Sequence, residues 1–139
     1  MSSTARMIVA VVAGLAVGFV TIFLLEMVSG MLFPPPPGVD LHDPAQLKNL
    51  MASLPIGQLV LVVIGWGIGS FDGAFLAGKI AGRGSGARAA LICGVLFTLA
   101  TLGNLLSLPH PIWIWIAGLA LPIPIALGAG RLAVLTSRA

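Results

Sequence analysis

Residues 59–83, LVLVVIGWGIGSFDGAFLAGKIAGR, constrain the fold of this chain more than any other segment. They form an apolar run long enough to cross a bilayer, because a membrane-spanning helix needs about 20 apolar residues. Glycines recur in the run at four-residue spacing, a single carboxylate stands at Asp72, and bases follow at the end. The segment therefore predicts a membrane-spanning helix that packs closely against a neighbour.

The composition extends this prediction to the whole chain. Of 139 residues, 58% are hydrophobic and only 8% are charged, whereas soluble domains carry about 25% charged residues. Lipid must therefore replace water over most of the surface. We predict a single all-α membrane domain over residues 1–139, a four-transmembrane-helix bundle with a short outer amphipathic helix. The spans are expected at residues 7–33, 56–80, 87–108 and 112–135, and the amphipathic helix at residues 44–54.

Local signals set the start of the amphipathic helix. The prolines at 34–37 end the first span, because proline has no N–H to donate. Asp43 then stands at a helix N-cap, with Pro44 at the first helical position and Gln46 placed for a capping box. Apolar side chains recur on one face of this short helix, which suits the bilayer surface or the end of the bundle. They are Leu47, Leu50, Met51 and Leu54.

The distribution of bases predicts the orientation. Only Lys48 lies on one side of the predicted bundle, and the positive-inside rule places the more basic side in the cytoplasm. Both termini and the turn between spans two and three are therefore expected to be cytoplasmic. The net charge of +3 has this topological explanation, so nucleic-acid binding is not expected. The bases on the cytoplasmic side are Arg6, Lys79, Arg83, Arg88, Arg131 and Arg138.

A polar seam follows the second span. Gln58, Gly65, Asp72 and Lys79 recur every seven residues and so share one side of the helix. A charge near the bilayer centre costs about 3 kcal/mol, so Asp72 should be paired or protonated. One interpretation is a structural ion pair or hydrogen bond with Lys79 or with Arg131 of span four. The other is a carboxylate that handles protons or cations.

A second polar group is predicted near the outer boundary. Glu26 and Asn104 lie at comparable depth, His110 follows just outside, and the three could form an outward-facing pocket. Alternatively, Glu26 is solvated at the end of its span, Asn104 bonds across helices, and His110 caps the turn between two prolines. A zinc site that added His42 and Asp43 would have suitable ligand types. No pair has HxxxH or CxxC spacing, so no metal is expected.

Small residues predict the packing faces. Gly14 and Gly18 in span one are spaced for close helix approach, and Gly65, Gly69 and Gly73 form a glycine zipper in span two. The two glycine faces provide more close-packing surface than a loosely packed four-helix monomer needs. This favours packing against another protein or a second copy of the chain. In span four, residues 122–124 (PIP) predict a helix break. The break is either a simple kink or a set of exposed carbonyls like those that bind ions in transporters.

Four stretches in a fixed order carry a family resemblance: FPPPPG, HDP, GWGIGSFDGAFLAGKIAGR and GNLLSLPHPIWIWIAG. Over nearly its whole length the chain resembles an uncharacterised family of small four-helix bacterial inner-membrane proteins. The resemblance implies the topology and a bacterial inner-membrane setting. It implies no activity and no site residue.

The sequence contains no nucleophile–base pair, phosphate loop or paired carboxylates, so we expect no enzyme and no cofactor. Cys93 is the single cysteine and cannot form an intramolecular disulfide. The leading hypothesis is a non-enzymatic accessory or oligomer-forming subunit that acts through glycine-lined packing, with the bilayer and another membrane protein or itself as partners. The alternative is a small transporter or channel-like protein that uses Asp72 and Glu26.

Overall fold

The computed structural model describes residues 1–137 and is all-helical there, with 81% helix and no strand. Four helical segments are long and apolar enough to cross a membrane: Ser3–Leu32, Ile56–Ala81, Gly86–Ser107 and Ile112–Thr136. The predicted fold class is thus confirmed. Arg138 lies outside the described residues. The helices are α1 (Ser3–Leu32), α2 (Pro44–Ala52), α3 (Ile56–Ala81), α4 (Gly86–Ser107), α5 (Ile112–Ala120) and α6 (Pro122–Thr136).

The spans differ from the prediction by more than one residue at two places. Helix α1 begins at Ser3 and not at residue 7, because the Ser2 side chain caps it by accepting a 3.2 Å hydrogen bond from the Ala5 N–H. The fourth span is divided at Leu121 into α5 and α6. Pro122 lacks an N–H, and this ends the ladder of α5 at the position where the sequence predicted a break.

The four spans run in alternating directions, so the bundle has two chemically different ends. One end, called here the basic end, holds the start of α1 and the turn between α3 and α4. The other, called the loop end, holds the proline-rich loop, α2 and the turn before α5. Helix α1 packs mainly along α3, α6 packs against both α3 and α4, and α1 meets α4 only lightly.

Helices α1 and α3 approach each other backbone to backbone. A Cβ added at Gly14 would lie 2.5 Å from the Gly73 carbonyl oxygen, and one added at Gly69 would lie 2.6 Å from the Gly18 carbonyl oxygen. No side chain larger than hydrogen fits at these crossings. Gly65 is less constrained, since its added Cβ would lie 3.6 Å from the nearest atom. Four of the five predicted packing glycines therefore form the closest part of this interface.

A second set of close contacts joins α3, α4 and α6, which the sequence analysis missed. A Cβ at Gly86 would lie 2.7 Å from the Gly78 carbonyl oxygen, and one at Gly94 would lie 2.7 Å from the Ala126 Cβ. The buried Phe97 ring fills the space beside the α1–α3 crossing. The centre of the bundle is thus built mainly from alanines and glycines, with the Cys93 thiol and the Phe97 ring among them.

Helix α2 lies at the loop end, with its Cα atoms more than 8 Å from those of the other described helices. Asp43 caps it, accepting from the Gln46 side chain (3.0 Å) and the Ala45 N–H (2.9 Å). These two bonds hold the pKa of Asp43 below its ordinary value, because they favour the carboxylate. Gln46 makes no capping box, since its Oε1 accepts from the Asp40 N–H instead. The predicted apolar residues of α2 are half-buried, whereas Lys48 is exposed.

We predict that Gly18→Ala destabilises the bundle by about 2 kcal/mol, because the new methyl group would overlap the Phe97 ring and the α3 backbone. Gly30→Ala on the same helix is the control, since its added Cβ meets nothing within 4 Å. Unfolding in mixed detergent measures both. Equal stability of the two variants would show that α1 and α3 do not meet as closely as described.

Candidate functional site

The polar side chains inside the spans fall in two separate places. Asp72 lies at the α1–α3 interface, where it contacts Thr21. Glu26 and Asn104 lie nearer the loop end, in a groove between α1 and α4. Residues 21 and 26 lie about 140° apart around α1, at about 100° per residue. The two carboxylates of α1 and α3 therefore belong to different sites.

Asp72 has a hydroxyl partner from the neighbouring helix. The Thr21 Oγ1–H donates to Asp72 Oδ2 over 3.2 Å, and both side chains are half-buried. Helix α3 runs Ile56–Ala81, so Asp72 is about 5 Å from its midpoint at about 1.5 Å per residue. The structure thus places a hydrogen-bonded carboxylate well inside the membrane-spanning region.

The other residues of the predicted seam do not reach Asp72. The Lys79 ammonium stands 5.5 Å from the centroid of the Phe75 ring, a cation–π contact two turns nearer the basic end. Arg131 is exposed on α6, and neither base comes within 4.0 Å of the Asp72 carboxylate in residues 1–137. Gln58 lines a cavity under α2. The expected ion pair is therefore not formed, because the seam aligns residues along one helix without bringing them together.

The groove between α1 and α4 has a volume of about 280 Å³. Trp66 of α3 is 7% exposed and forms the floor between the two helices. The groove opens sideways, where Glu26 and Asn104 are both exposed. Aromatic, aliphatic and small side chains complete its walls: Phe19, Ile22, Phe23, Phe97, Ala100 and Thr101.

Glu26 and Asn104 have no side-chain partner within the described chain. No hydrogen bond or ion pair joins either side chain to another of residues 1–137. In hydrocarbon an unsatisfied polar group costs several kcal/mol. The groove therefore presents the Glu26 carboxyl group and the Asn104 amide to any molecule that packs beside the bundle at this depth.

His110 does not join this groove. Its Nδ1 is 2.8 Å from the Leu108 carbonyl oxygen, and its ring centroid is 6.4 Å from that of Trp66, on the other side of the groove floor. His110 lines a separate cavity of about 590 Å³ with Lys48 of α2. The predicted outer pocket thus brings together two of its three residues, and His110 takes the alternative role of bonding within its own turn.

The break in the fourth span packs against α4. Pro122 is buried, and a Cβ added at Gly94 would lie 3.4 Å from the Pro122 carbonyl oxygen. Pro122 is not among the residues that line the Glu26 groove. Of the two interpretations of the break, the kink that a neighbouring helix covers matches this packing.

The polar residues of the loop between α1 and α2 lie apart from the groove. His42 Nδ1 lies 3.3 Å from Asp40 Oδ1, with both side chains exposed. Within residues 1–137, no three His, Cys, Asp or Glu side chains come close enough to hold a metal ion. The loop therefore adds no ligand to Glu26.

Sequence reasoning missed Thr21 and Trp66. Thr21 follows Gly14 by seven residues, so it lies on the glycine side of α1 and could have been found by extending that row. Trp66 follows Gly65 directly in the second span. No periodic signal marks it as the floor of a groove between two other helices.

We predict that Thr21→Val lowers the free energy of unfolding by about 1 kcal/mol, because it removes the donor to Asp72 while keeping the shape of the side chain. Thr98→Val is the control, since the Thr98 hydroxyl bonds the Gly94 carbonyl of its own helix at 2.8 Å. Detergent unfolding of both variants checks this. If Thr21→Val costs no more than Thr98→Val, the interhelical bond contributes nothing.

Comparison with known proteins adds no residue to these sites. The chain matches no protein-family model, no curated protein and no solved structure. The resemblance to small four-helix bacterial inner-membrane proteins stays a prediction from the sequence. The groove and the Asp72–Thr21 pair are therefore the features of the chain that bear on its function.

Proposed function

We propose that this is a small polytopic protein of the bacterial inner membrane that catalyses no reaction and acts as a subunit. It joins a second copy of itself, or another membrane protein, through the groove between α1 and α4. The cytoplasmic location of both termini belongs to the same proposal. It is supported by the bases Arg6, Lys79, Arg83, Arg88 and Arg131, which all lie at or near the basic end.

The surface for assembly is not the glycine face that the sequence suggested. Gly14 and Gly18 of α1 contact Gly73 and Gly69 of α3 within the same chain. These glycines are covered by their own bundle, so they leave no close-packing face free. The sequence suggested that these glycines provide more packing surface than one bundle needs. That expectation is not supported, because the glycines of α1 and α3 pack against each other.

The observation that carries the proposal is the unpartnered Glu26–Asn104 pair in a groove that opens sideways. A polar pair in hydrocarbon gains most from a partner that supplies hydrogen bonds at the same depth. Two copies in one membrane share orientation and depth. The Asn104 amide of one copy can therefore donate to the Glu26 carboxylate of the other, and the reverse, as a two-fold interface requires.

The flanks of the groove suit a helix of a second molecule. Phe19 and Phe23 are exposed on α1, and Ala100 is a small exposed side chain on α4. A small residue beside large ones forms a recess into which a neighbouring side chain fits. Homodimerisation is thus the first form of assembly that the groove supports.

We predict that Ala100→Cys, made in a Cys93→Ala background, forms a disulfide-linked homodimer in native membranes on mild oxidation. Val95→Cys in the same background is the control, because Val95 is exposed on α4 but does not line the groove. Gel mobility and mass spectrometry of the linked species report the result. Adding Glu26→Gln and Asn104→Leu should reduce the Ala100→Cys dimer several-fold.

The linked species also tests the alternative partner. A link from residue 100 to a different membrane protein would support an accessory subunit in place of a homodimer. Equal linking from residues 95 and 100 would show random collision. No link from residue 100 to any protein would contradict the proposal.

The second candidate function is transport or conduction of a cation. One observation favours it: Asp72 is a carboxylate inside the membrane with a single hydroxyl partner. Intramembrane acids mark ion pathways by default. However, Glu26 lies in another site, and the Pro122 break packs against α4. A pathway would then depend on Asp72 alone.

We expect proteoliposomes that contain the wild-type protein to take up protons or monovalent cations no faster than protein-free vesicles, because a single hydrogen-bonded carboxylate is no relay. Asp72→Asn vesicles should behave identically. A pH-sensitive dye inside the vesicles measures the proton flux. A flux that Asp72→Asn abolishes and Glu26→Gln preserves would establish the transport function instead.

A further inference from the structure

The basic end contains a cleft that neither the groove nor the Asp72 pair explains. It lies between the start of α1 and the turn from α3 to α4, and its volume is about 420 Å³. Two arginines line it, Arg6 from α1 and Arg83 from the turn. Two hydroxyl residues, Ser3 and Ser85, line it as well.

The turn is shaped by glycine. Gly82 ends α3 with φ of +76°, a conformation that residues with a Cβ rarely adopt. A Cβ at Gly82 would lie 4.0 Å from Arg6 Nη1, so the guanidinium of α1 stands directly over the turn. The Arg83 Nη2–H donates to the Ser137 carbonyl oxygen over 3.3 Å. One Arg83 donor is thus used by the end of α6, and the others remain for a ligand.

The cleft is strongly cationic because the acids of the chain lie elsewhere. The four carboxylate side chains are Glu26, Asp40, Asp43 and Asp72. Two of them lie in the outer loop and two lie inside the spans. No carboxylate side chain therefore neutralises Arg6 and Arg83. Two arginines that line one cleft repel each other, and an anion between them would offset this repulsion.

We propose that this cleft binds the phosphate of an anionic phospholipid headgroup. Arginine forks match phosphate oxygens with paired hydrogen bonds, and the serine hydroxyls add neutral donors. Basic pockets between membrane helices at this boundary suit such headgroups. Met7 and Ala81 also line the cleft and belong to the packed interior of the bundle, so the cleft has an apolar floor beside its arginines.

Native mass spectrometry from nanodiscs tests the proposal. The discs contain phosphatidylcholine with phosphatidylglycerol as the anionic probe, and the readout is the phosphatidylglycerol retained by the intact protein. The wild type should retain it, and Arg6→Gln/Arg83→Gln should weaken binding at least about tenfold, since hydrogen bonds between charged groups contribute about 1.5–3 kcal/mol each. The double variant Arg88→Gln/Lys48→Gln is the control, because it removes the same number of charges from residues that do not line the cleft.

The remaining arms separate the sources of the phosphate. Inorganic phosphate is added to phosphatidylcholine-only discs, and its protection of the protein against thermal unfolding is measured. Protection that depends on Arg6 and Arg83 without any anionic lipid would overturn the lipid proposal in favour of a soluble anion. Equal lipid retention by Arg6→Gln/Arg83→Gln and the control would overturn the cleft as the site. Helix content by circular dichroism confirms that Arg6→Gln/Arg83→Gln is folded, and single Arg6→Lys and Arg83→Lys variants serve if it is not.

Discussion

The backbone contact between α1 and α3 is the interaction on which the rest of the structure depends. In lipid there is little hydrophobic driving force between helices, so close packing must hold them together. The pairing of Gly14 with Gly73 and of Gly18 with Gly69 brings the two helices together without intervening side chains. This contact also fixes their relative register. Thr21 reaches Asp72 only because the glycine pairs place the two helices at that offset.

The same contact accounts for the groove. Helix α1 lies close to α3 and makes only a light contact with α4. At the level of Gly18 the Phe19 and Phe97 rings lie between α1 and α4, with their centroids 5.2 Å apart. These rings form one end of the groove, which continues for about two turns to Glu26 and Asn104. The tight interface and the open groove are therefore two consequences of one helix, with small residues on one face and large ones on another.

The sequence predicted what depends on local periodicity and missed what depends on register between helices. The four spans and the Asp43 cap follow from composition and nearby spacing, and the structure has them. The partner of Asp72 could not be read from its own helix, because it is set by the offset of α1. His110 was grouped with Glu26 and Asn104, but its Nδ1 lies 2.8 Å from the Leu108 carbonyl oxygen of its own turn, and it lines a different cavity. The position of a residue along its span can be counted from the sequence. The neighbouring helix that its side chain faces cannot.

The depth of each polar site determines the partner it can hold. Glu26 and Asn104 lie on the exposed side of two apolar spans, in the last two turns of each, where a partner helix would exclude water from the hydrogen bonds that it makes. Arg6 and Arg83 lie at the boundary, where water and salt weaken each charge interaction. A boundary site therefore needs several converging donors and a shape that selects one anion. The groove needs only a complementary polar group at equal depth, which a second copy in the same membrane supplies.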